Sequence, residues 1–383
     1  MLRTGILMPR SALFPSLGLD ILNGLKENLK KQHISDQVKL VTDNIGFGIN
    51  EPEIYAKAEK MLLQEEADIV MVCADTRTIE MLQPLFTASN KILLAVNFGA
   101  NVPDSLQPAP TTITHSLNFC LHARLTGKLA AKETNQQAVN VISYYDGGYR
   151  QCFCMIDGHQ ANGGVPRFNH VTALKQDAFT LAPMVEFLEQ NSDVNTLLCL
   201  FAGDMAERFY REISPLQKKF NLNLYVSPMM LEGSLKNSLG NEFSIDNVKG
   251  FIPWHAELNN KANKLFKETI ASSTSANYFS LLGWDAGMIL SEIIRLNNTG
   301  ITNAAAIIRS LTATSFDSPR GWMKIDAATQ HSYGPSYLAA CKNNFEITVG
   351  NEAENMEAEW SAFTNEKLPA GEYSSWRNTY LCI

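Results

Sequence analysis

An alternation of two periodicities restricts this chain more than any single motif. Apolar runs at residues 4–8, 38–42, 68–74 and 91–96 are each five to seven residues long, the length of a strand buried on both faces rather than of a helix. Between them, Ile21, Leu22, Leu25 and Leu29, and then Ile54, Ala58, Met61 and Leu62, recur three and four residues apart, which puts each set on one side of a helix. Residues 79–88 continue the series, and Glu51-Pro52 supplies the proline-tolerant first turn of a helix. Strands that alternate with helices pair in parallel, because each connection returns across a face of the sheet. The expectation is an α/β fold with parallel sheets covered on both faces.

The alternation starts again after Thr114. Helices are expected over 120–133, 150–162 and 182–190, with strands over 138–144, 168–173 and 196–202. Strands 222–226 and 248–252 and helices 258–270, 284–296 and 304–311 follow. A length of 383 residues exceeds the roughly 100–200 of one domain, and 45% apolar content is enough for two ordinary cores. Two Rossmann-like lobes are therefore expected. The stretch from Gly350, with Glu352, Glu354, Glu357 and Glu359, reads as a solvated acidic face.

Several function classes lose support at this point. Acidic residues outnumber basic ones by 39 to 32, so no general cationic field exists to hold nucleic acid, which is excluded as a partner. No apolar run approaches the roughly 18 residues of a membrane-spanning helix, so the chain is expected not to span a membrane. Residues 5–8 form an apolar stretch too short for a secretory signal, which makes the chain cytoplasmic if Met1 is the true start. Seven cysteines (Cys73, Cys120, Cys152, Cys154, Cys199, Cys341 and Cys382) lie mostly among apolar neighbours and read as buried small hydrophobes in a reducing compartment. There is no glycine-rich dinucleotide fingerprint, phosphate loop, serine elbow or His-Glu-x-x-His pair. Seven histidines lie far apart, and Cys152-x-Cys154 lacks a second ligand pair, so neither a metal nor a cofactor is expected. The chain is read as a binding protein and not as an enzyme.

In open α/β sheets, ligands collect beyond the carboxyl ends of the strands. That rule selects the turns 74–78, 97–101, 145–149, 203–205 and 231–234. They offer carboxylates (Asp75, Asp204, Glu232), hydroxyl and guanidinium groups (Thr76, Arg77), backbone donors (Gly99, Ala100) and aromatics (Phe98, Tyr149), with Trp254 just beyond a later strand. Such a set suits a small polar guest better than bond breaking. Each residue also has a plain structural reading: Asp75 as a helix N-cap, Arg77 as an ion-paired surface residue, Glu232 as a turn acid, Tyr149 as cover for the lobe's edge, and Phe98 and Trp254 as core.

The order of several motifs carries a resemblance. A loop with Pro9 and Pro15 precedes Gly18 and Asn23-Gly24; Tyr144 to Tyr149 form an aromatic strand-end turn; Leu282-Gly283-Trp284-Asp285-Ala286 opens a helix; Gly321 to Asp326 complete a hairpin. Over residues 4 to 345 the chain resembles the type I periplasmic binding proteins, in particular the branched-chain amino-acid (leucine/isoleucine/valine) receptors of ABC importers. The resemblance implies two hinged lobes, a Venus flytrap joined by three crossings, with residues 1–116 plus 252–316 in the first lobe and 117–251 plus 317–383 in the second. It also implies a periplasmic location, an ABC permease as partner, and capture of an amino acid or related polar compound by closure. By resemblance, Asp75 and Thr76 meet a ligand carboxylate, Phe98 to Ala100 add backbone contacts, Tyr149 and Asp204 contact from the second lobe, and Glu232 pairs with an ammonium. A carboxylate at Asp75 repels a ligand carboxylate unless Arg77 neutralises it, so an amine, amide, aromatic or sugar-like guest stands as an alternative expectation. Two alternatives stand beside transport: a cytoplasmic amide or amino-acid sensor on the same fold, and an enzyme using the three carboxylates as acid and base.

Overall fold

The computed structural model describes residues 1–103, 106–241, 243–366, 376 and 378–381. Its first eight regular elements are β1 (Leu2–Met8), α1 (Leu17–Lys31), β2 (Val38–Asn44), α2 (Glu51–Leu63), β3 (Ile69–Cys73), α3 (Thr76–Ser89), β4 (Ile92–Asn97) and β5 (Thr112–Ser116). The all-apolar runs take the middle of the sheet: β3 and β4 are buried along their whole length, and the half-exposed β2 lies at the edge. The sheet is parallel, in the order β2-β1-β3-β4-β5. Asn50 starts α2 by accepting a hydrogen bond from the Glu53 amide, with Pro52 in the first turn.

The second round comprises α4 (Phe119–Glu133), β6 (Gln137–Ile142), α5 (Arg150–Gln160), β7 (Val165–Val171), α6 (Ala182–Gln190), β8 (Thr196–Leu200), α7 (Gly203–Phe220), β9 (Asn223–Val226), α8 (Leu235–Leu239) and β10 (Val248–Ile252). After it come α9 (Lys261–Ile270), α10 (Tyr278–Asn298), α11 (Ala304–Thr312), β11 (Ser315–Ser318), β12 (Gly321–Ile325), β13 (Ser332–Tyr333), β14 (Tyr337–Lys342), β15 (Glu346–Glu352) and α12 (Met356–Asn365). Strands β6 to β10 run parallel in a second sheet of order β15-β14-β10-β9-β8-β6-β7, with β14 and β15 antiparallel at one side. The chain crosses between the lobes after β5, after β10, and between β13 and β14. Helix α10 begins at Tyr278, six residues before the apolar run that announces it, because Asn277 and Ser280 form a reciprocal capping box.

Two parts of the chain pack differently from the division read in the sequence. Met323 and Ile325 of β12 join the first lobe's core beside α10 and α11, and His331, just before β13, forms an isolated bridge to Thr114 of β5. Tyr380 and Leu381 also lie in that first core. The acidic stretch after Gly350 is only partly solvated. Helix α12 buries Met356, Trp360 and Phe363 against Leu121 and Leu125 of α4, while Glu359 pairs with Lys128 and Glu357 with Lys324. Cys73, Cys120, Cys152, Cys154, Cys199 and Cys341 are free thiols, all buried except the half-buried Cys152; Cys382 lies outside the described residues. No helix among the described residues is long and apolar enough to cross a membrane.

Candidate functional site

Asp75 sits where β3 gives way to α3, in extended backbone at the N-cap position, yet its side chain makes no capping bond. The carboxylate turns inward instead, 3% exposed. Its Oδ2 accepts hydrogen bonds from Asn101 Nδ2 at 2.9 Å, from the Thr379 amide at 2.7 Å and from the Thr379 hydroxyl at 2.6 Å. The Asp75 amide donates to Asn378 Oδ1 at 2.8 Å, and Asn378 Nδ2 donates to the Gly48 carbonyl. Burial holds the Asp75 proton up to about 6, against the pull of the bonds from Thr379 and Asn101. Arg77 takes no part in this arrangement. It is exposed, 3.3 Å from Glu51 on α2, so neutral donors rather than a guanidinium serve the Asp75 carboxylate. Thr76 is half-buried in the first turn of α3.

The turn after β4 adds the next wall. Gly99 has φ +66, and a Cβ there would meet Ser116 Oγ at 2.4 Å and Asn118 backbone at 2.7 Å, so only glycine lets this turn lie against the first crossing. Ala100 is fully buried, and its carbonyl accepts from the Gln151 amide of α5 at 2.9 Å. Asn101 Oδ1 accepts from the Arg150 amide at 3.1 Å. These bonds join the two lobes directly at the N-terminus of α5. Tyr149, just before that helix, is buried, and its hydroxyl accepts from the Tyr380 amide at 2.9 Å. The Tyr380 ring packs on Phe98, Phe14 and Tyr149 at centroid distances of 5.6, 5.5 and 5.4 Å. Asp75, Phe98 and Tyr149 are therefore gathered around residues 378–380.

Glu232 and Trp254 line a separate cavity of about 840 Å³ between the lobes, together with Phe14, His255, Tyr278 and Phe279. Glu232 is half-buried, and its Oε2 accepts from the Ser234 amide at 2.8 Å and from the Ser234 hydroxyl. Burial raises its proton affinity, opposed by those bonds. Trp254 is both core and wall: it is 3% exposed, its Nε1 donates to Asn263 Oδ1 at 2.8 Å, and one part of it borders the cavity. His255 is held below its usual basicity by burial. Asp204 lies elsewhere. It is exposed at the start of α7, accepts from Gln176, and lines a cavity of about 270 Å³ with Tyr145, Asp146 and Tyr380. Sequence reasoning selected the turn that holds Asn101 without singling out that side chain, and missed Tyr278 and above all residues 376 and 378–381. The signal for the last was present: Trp376, Tyr380 and Leu381 are aromatic and apolar residues following an acidic stretch.

Among the described residues no three histidine, cysteine, aspartate or glutamate side chains come together as a metal site. The arrangement offers hydrogen-bond acceptors, aromatic faces and enclosed volume between two lobes, which equips it to hold and release a small molecule.

Comparison with known proteins agrees with that geometry. No curated protein matches the chain by sequence. Among solved structures, a substrate-binding protein of an ABC transporter from Sphaerobacter thermophilus superposes with a TM-score of 0.79 at 14% identity, covering 92% of this chain and 97% of that one. An ABC-transporter solute-binding protein from R. palustris, in complex with benzoate, has a TM-score of 0.70 at 19% identity, covering 91% and 98%. An amino-acid ABC transporter substrate-binding protein from Pseudomonas fluorescens Pf-5 has a TM-score of 0.72 at 12% identity, covering 94% and 98%. At these identities the superpositions speak for the fold. The sequence profile of the periplasmic binding protein family matches residues 5–346, and the chain belongs to that family.

Proposed function

We propose that this chain is a non-catalytic solute receptor, of the branched-chain amino-acid receptor type, that captures an amino acid or derivative between its lobes for an ABC importer on the periplasmic side of a membrane. The lobes that close are built from residues 1–116 with 252–316 and residues 117–251 with 337–365, with β12, β13 and residues 380–381 packed on the first lobe and the third crossing acting as part of the hinge. The observation that carries the reading is the interlobe cavity of about 840 Å³, within the roughly 300–1,000 Å³ typical of small-molecule sites. Its charged lining is Glu232, Glu257, Glu346 and Lys236, with His255, an acidic balance that favours a ligand bearing an ammonium or amide donor. Phe14, Trp254, Tyr278 and Phe279 offer faces for an apolar or aromatic portion. Two of the similar R. palustris proteins are described with benzoate and with 4-hydroxybenzoate; an aromatic ring fits these walls, whereas a lone carboxylate meets repulsion from Glu232. In this reading Glu232 pairs with the ammonium and Trp254 flanks the side chain, while the turns of Asp75, Thr76, Phe98, Gly99, Ala100 and Tyr149 serve a ligand only beyond this cavity, next to residues 378–380, and Asp204 serves one only in the smaller cavity.

The test is a melting-temperature series against amino acids, their amides, aromatic amines and benzoates. Ligand at about 100 times its dissociation constant adds roughly 2.7 kcal/mol of stability. A shift with ammonium-bearing members and none with benzoates is expected. No shift with any member, in protein freed of carried-over ligand by unfolding and refolding, overturns the reading.

A further inference from the structure

Residues 376 and 378–381 lie between the two cavities of the cleft: Tyr380 packs on Phe14, which lines the larger one, and itself lines the smaller. Their contacts are those of a guest gripped from both sides. Asp75 of the first lobe accepts the amide and the hydroxyl of Thr379 and donates its own amide to Asn378. Tyr149, at the start of a second-lobe helix, accepts the next amide, that of Tyr380, and the Ser11 hydroxyl donates to the Tyr380 carbonyl. Trp376 donates from Nε1 to the Tyr145 carbonyl at 2.8 Å and packs on Tyr144 and Tyr145. Gly148 is shaped to it: a Cβ there would lie 2.0 Å from Trp376 Nε1. Two successive backbone amides and one aromatic ring are thus read by side chains of opposite lobes.

We propose that the centre of the cleft is a recognition subsite for a turn-forming peptide bearing an aromatic side chain, and that residues 378–380, a turn in which Tyr380 has φ +57, fill it in cis as a ligand carried by the chain. Both halves of the argument are physical. A carboxylate as buried as Asp75 is costly without donors, and Thr379 supplies two of the three bonds to its Oδ2. A tethered occupant acts at an effective concentration in the millimolar range, so a weak free competitor does not displace it. The subsite stays filled in the unliganded receptor and latches the lobes together, and a solute that needs Asp75 must first eject the segment. None of this depends on a transporter or on the solute's identity, so its test can fail while the receptor reading survives.

The experiment uses the full chain and a capped synthetic hexapeptide with the sequence of residues 376–381. Amide hydrogen exchange in the unaltered chain is expected to be slowed about 100-fold or more at Thr379 and Tyr380 relative to the free hexapeptide, as for bonds opened only by local unfolding. The double variant Thr379→Ala/Tyr380→Ala is expected to bind the hexapeptide about 100-fold more tightly than the unaltered chain does, since the tethered competitor is weakened. Exchange at those two amides within about twofold of the free peptide overturns the proposal, as does a folded double variant that binds the hexapeptide no better than the unaltered chain. Should the double variant fail to fold, the exchange rates decide alone.

Discussion

A carboxylate sealed at the end of β3 gives the cleft a particular pH signature. A free aspartate ionises near 4, whereas burial keeps Asp75 protonated to about 6 in the fold. Between these values the folded state holds a proton that the unfolded chain has released. Stability from this group therefore falls as pH rises from about 4 to about 6 and is level above that. Asp75→Asn removes the slope. The unfolding free-energy difference between chain and variant should change by up to about 1.4 kcal/mol per pH unit across that window in urea titrations; a difference that does not vary with pH refutes it. Glu232 makes a complementary prediction. It is half-buried and its carboxylate is bonded within its own turn, to Ser234 and the Gly233 amide, so Glu232→Ala should leave stability within about 1 kcal/mol. Calorimetric affinity for the best member of the melting series should drop about tenfold or more, the worth of a hydrogen bond to a charged group. Unchanged affinity removes Glu232 from the site. The turns holding these two residues were legible because strand ends are where such folds place ligands. That Arg77 turns to Glu51 was not, because the partner lies on another helix.

Helix crossings explain motifs that the family resemblance could only point to. Gly24 of α1 and Gly283 of α10 face each other's helices so closely that a Cβ at Gly24 would lie 2.0 Å from the Ser280 carbonyl oxygen, and one at Gly283 would lie 1.9 Å from that of Ile21. The two helices touch backbone to backbone. Gly283→Ala must push them apart, and the strain of overpacking should cost about 1–3 kcal/mol or more of unfolding free energy; a loss below about 0.5 kcal/mol shows that the pair is not held closely. Two residues on from Gly283, Asp285 is fully buried and pairs with Arg320 at 3.0 Å while accepting from the Ser318 hydroxyl, which fixes the β11–β12 turn to α10. Elements with one clear periodicity were readable in advance: α6 and β10 fall on the residues their patterns mark. β5 and the β14–β15 pair were not, because Thr112, Thr114 and the polar face of β15 carry no long apolar run.

The lobes are tied where the first and third crossings meet. His115 Nδ1 lies 2.9 Å from Ser332 Oγ, His122 Nδ1 lies 2.7 Å from Ser336 Oγ, and Asn118 Nδ2 donates to the Ser332 carbonyl. Burial, reinforced by the Arg320 charge, lowers His122 to about 3, so the ring is neutral in the fold. The unfolded chain binds a proton near 6.5 that the folded chain does not bind until about 3. Stability from this group is therefore complete above about 6.5 and is lost as pH falls toward 3. His122→Gln should flatten that acid limb in chemical denaturation between pH 4 and 6.5; an unaltered limb shows that the histidine does not report on the hinge. The alternation of strands and helices, the count of two lobes and the turns that border the cleft follow from short-range periodicity, which records the burial of each element against its nearest layers. The filling of the cleft does not, since Asp75 and Thr379 are 304 positions apart, and no local pattern encodes which distant donors a buried carboxylate will find. Their meeting is a property of the packed molecule: burial makes an unpaired acceptor costly, and the folded chain brings Thr379 to it.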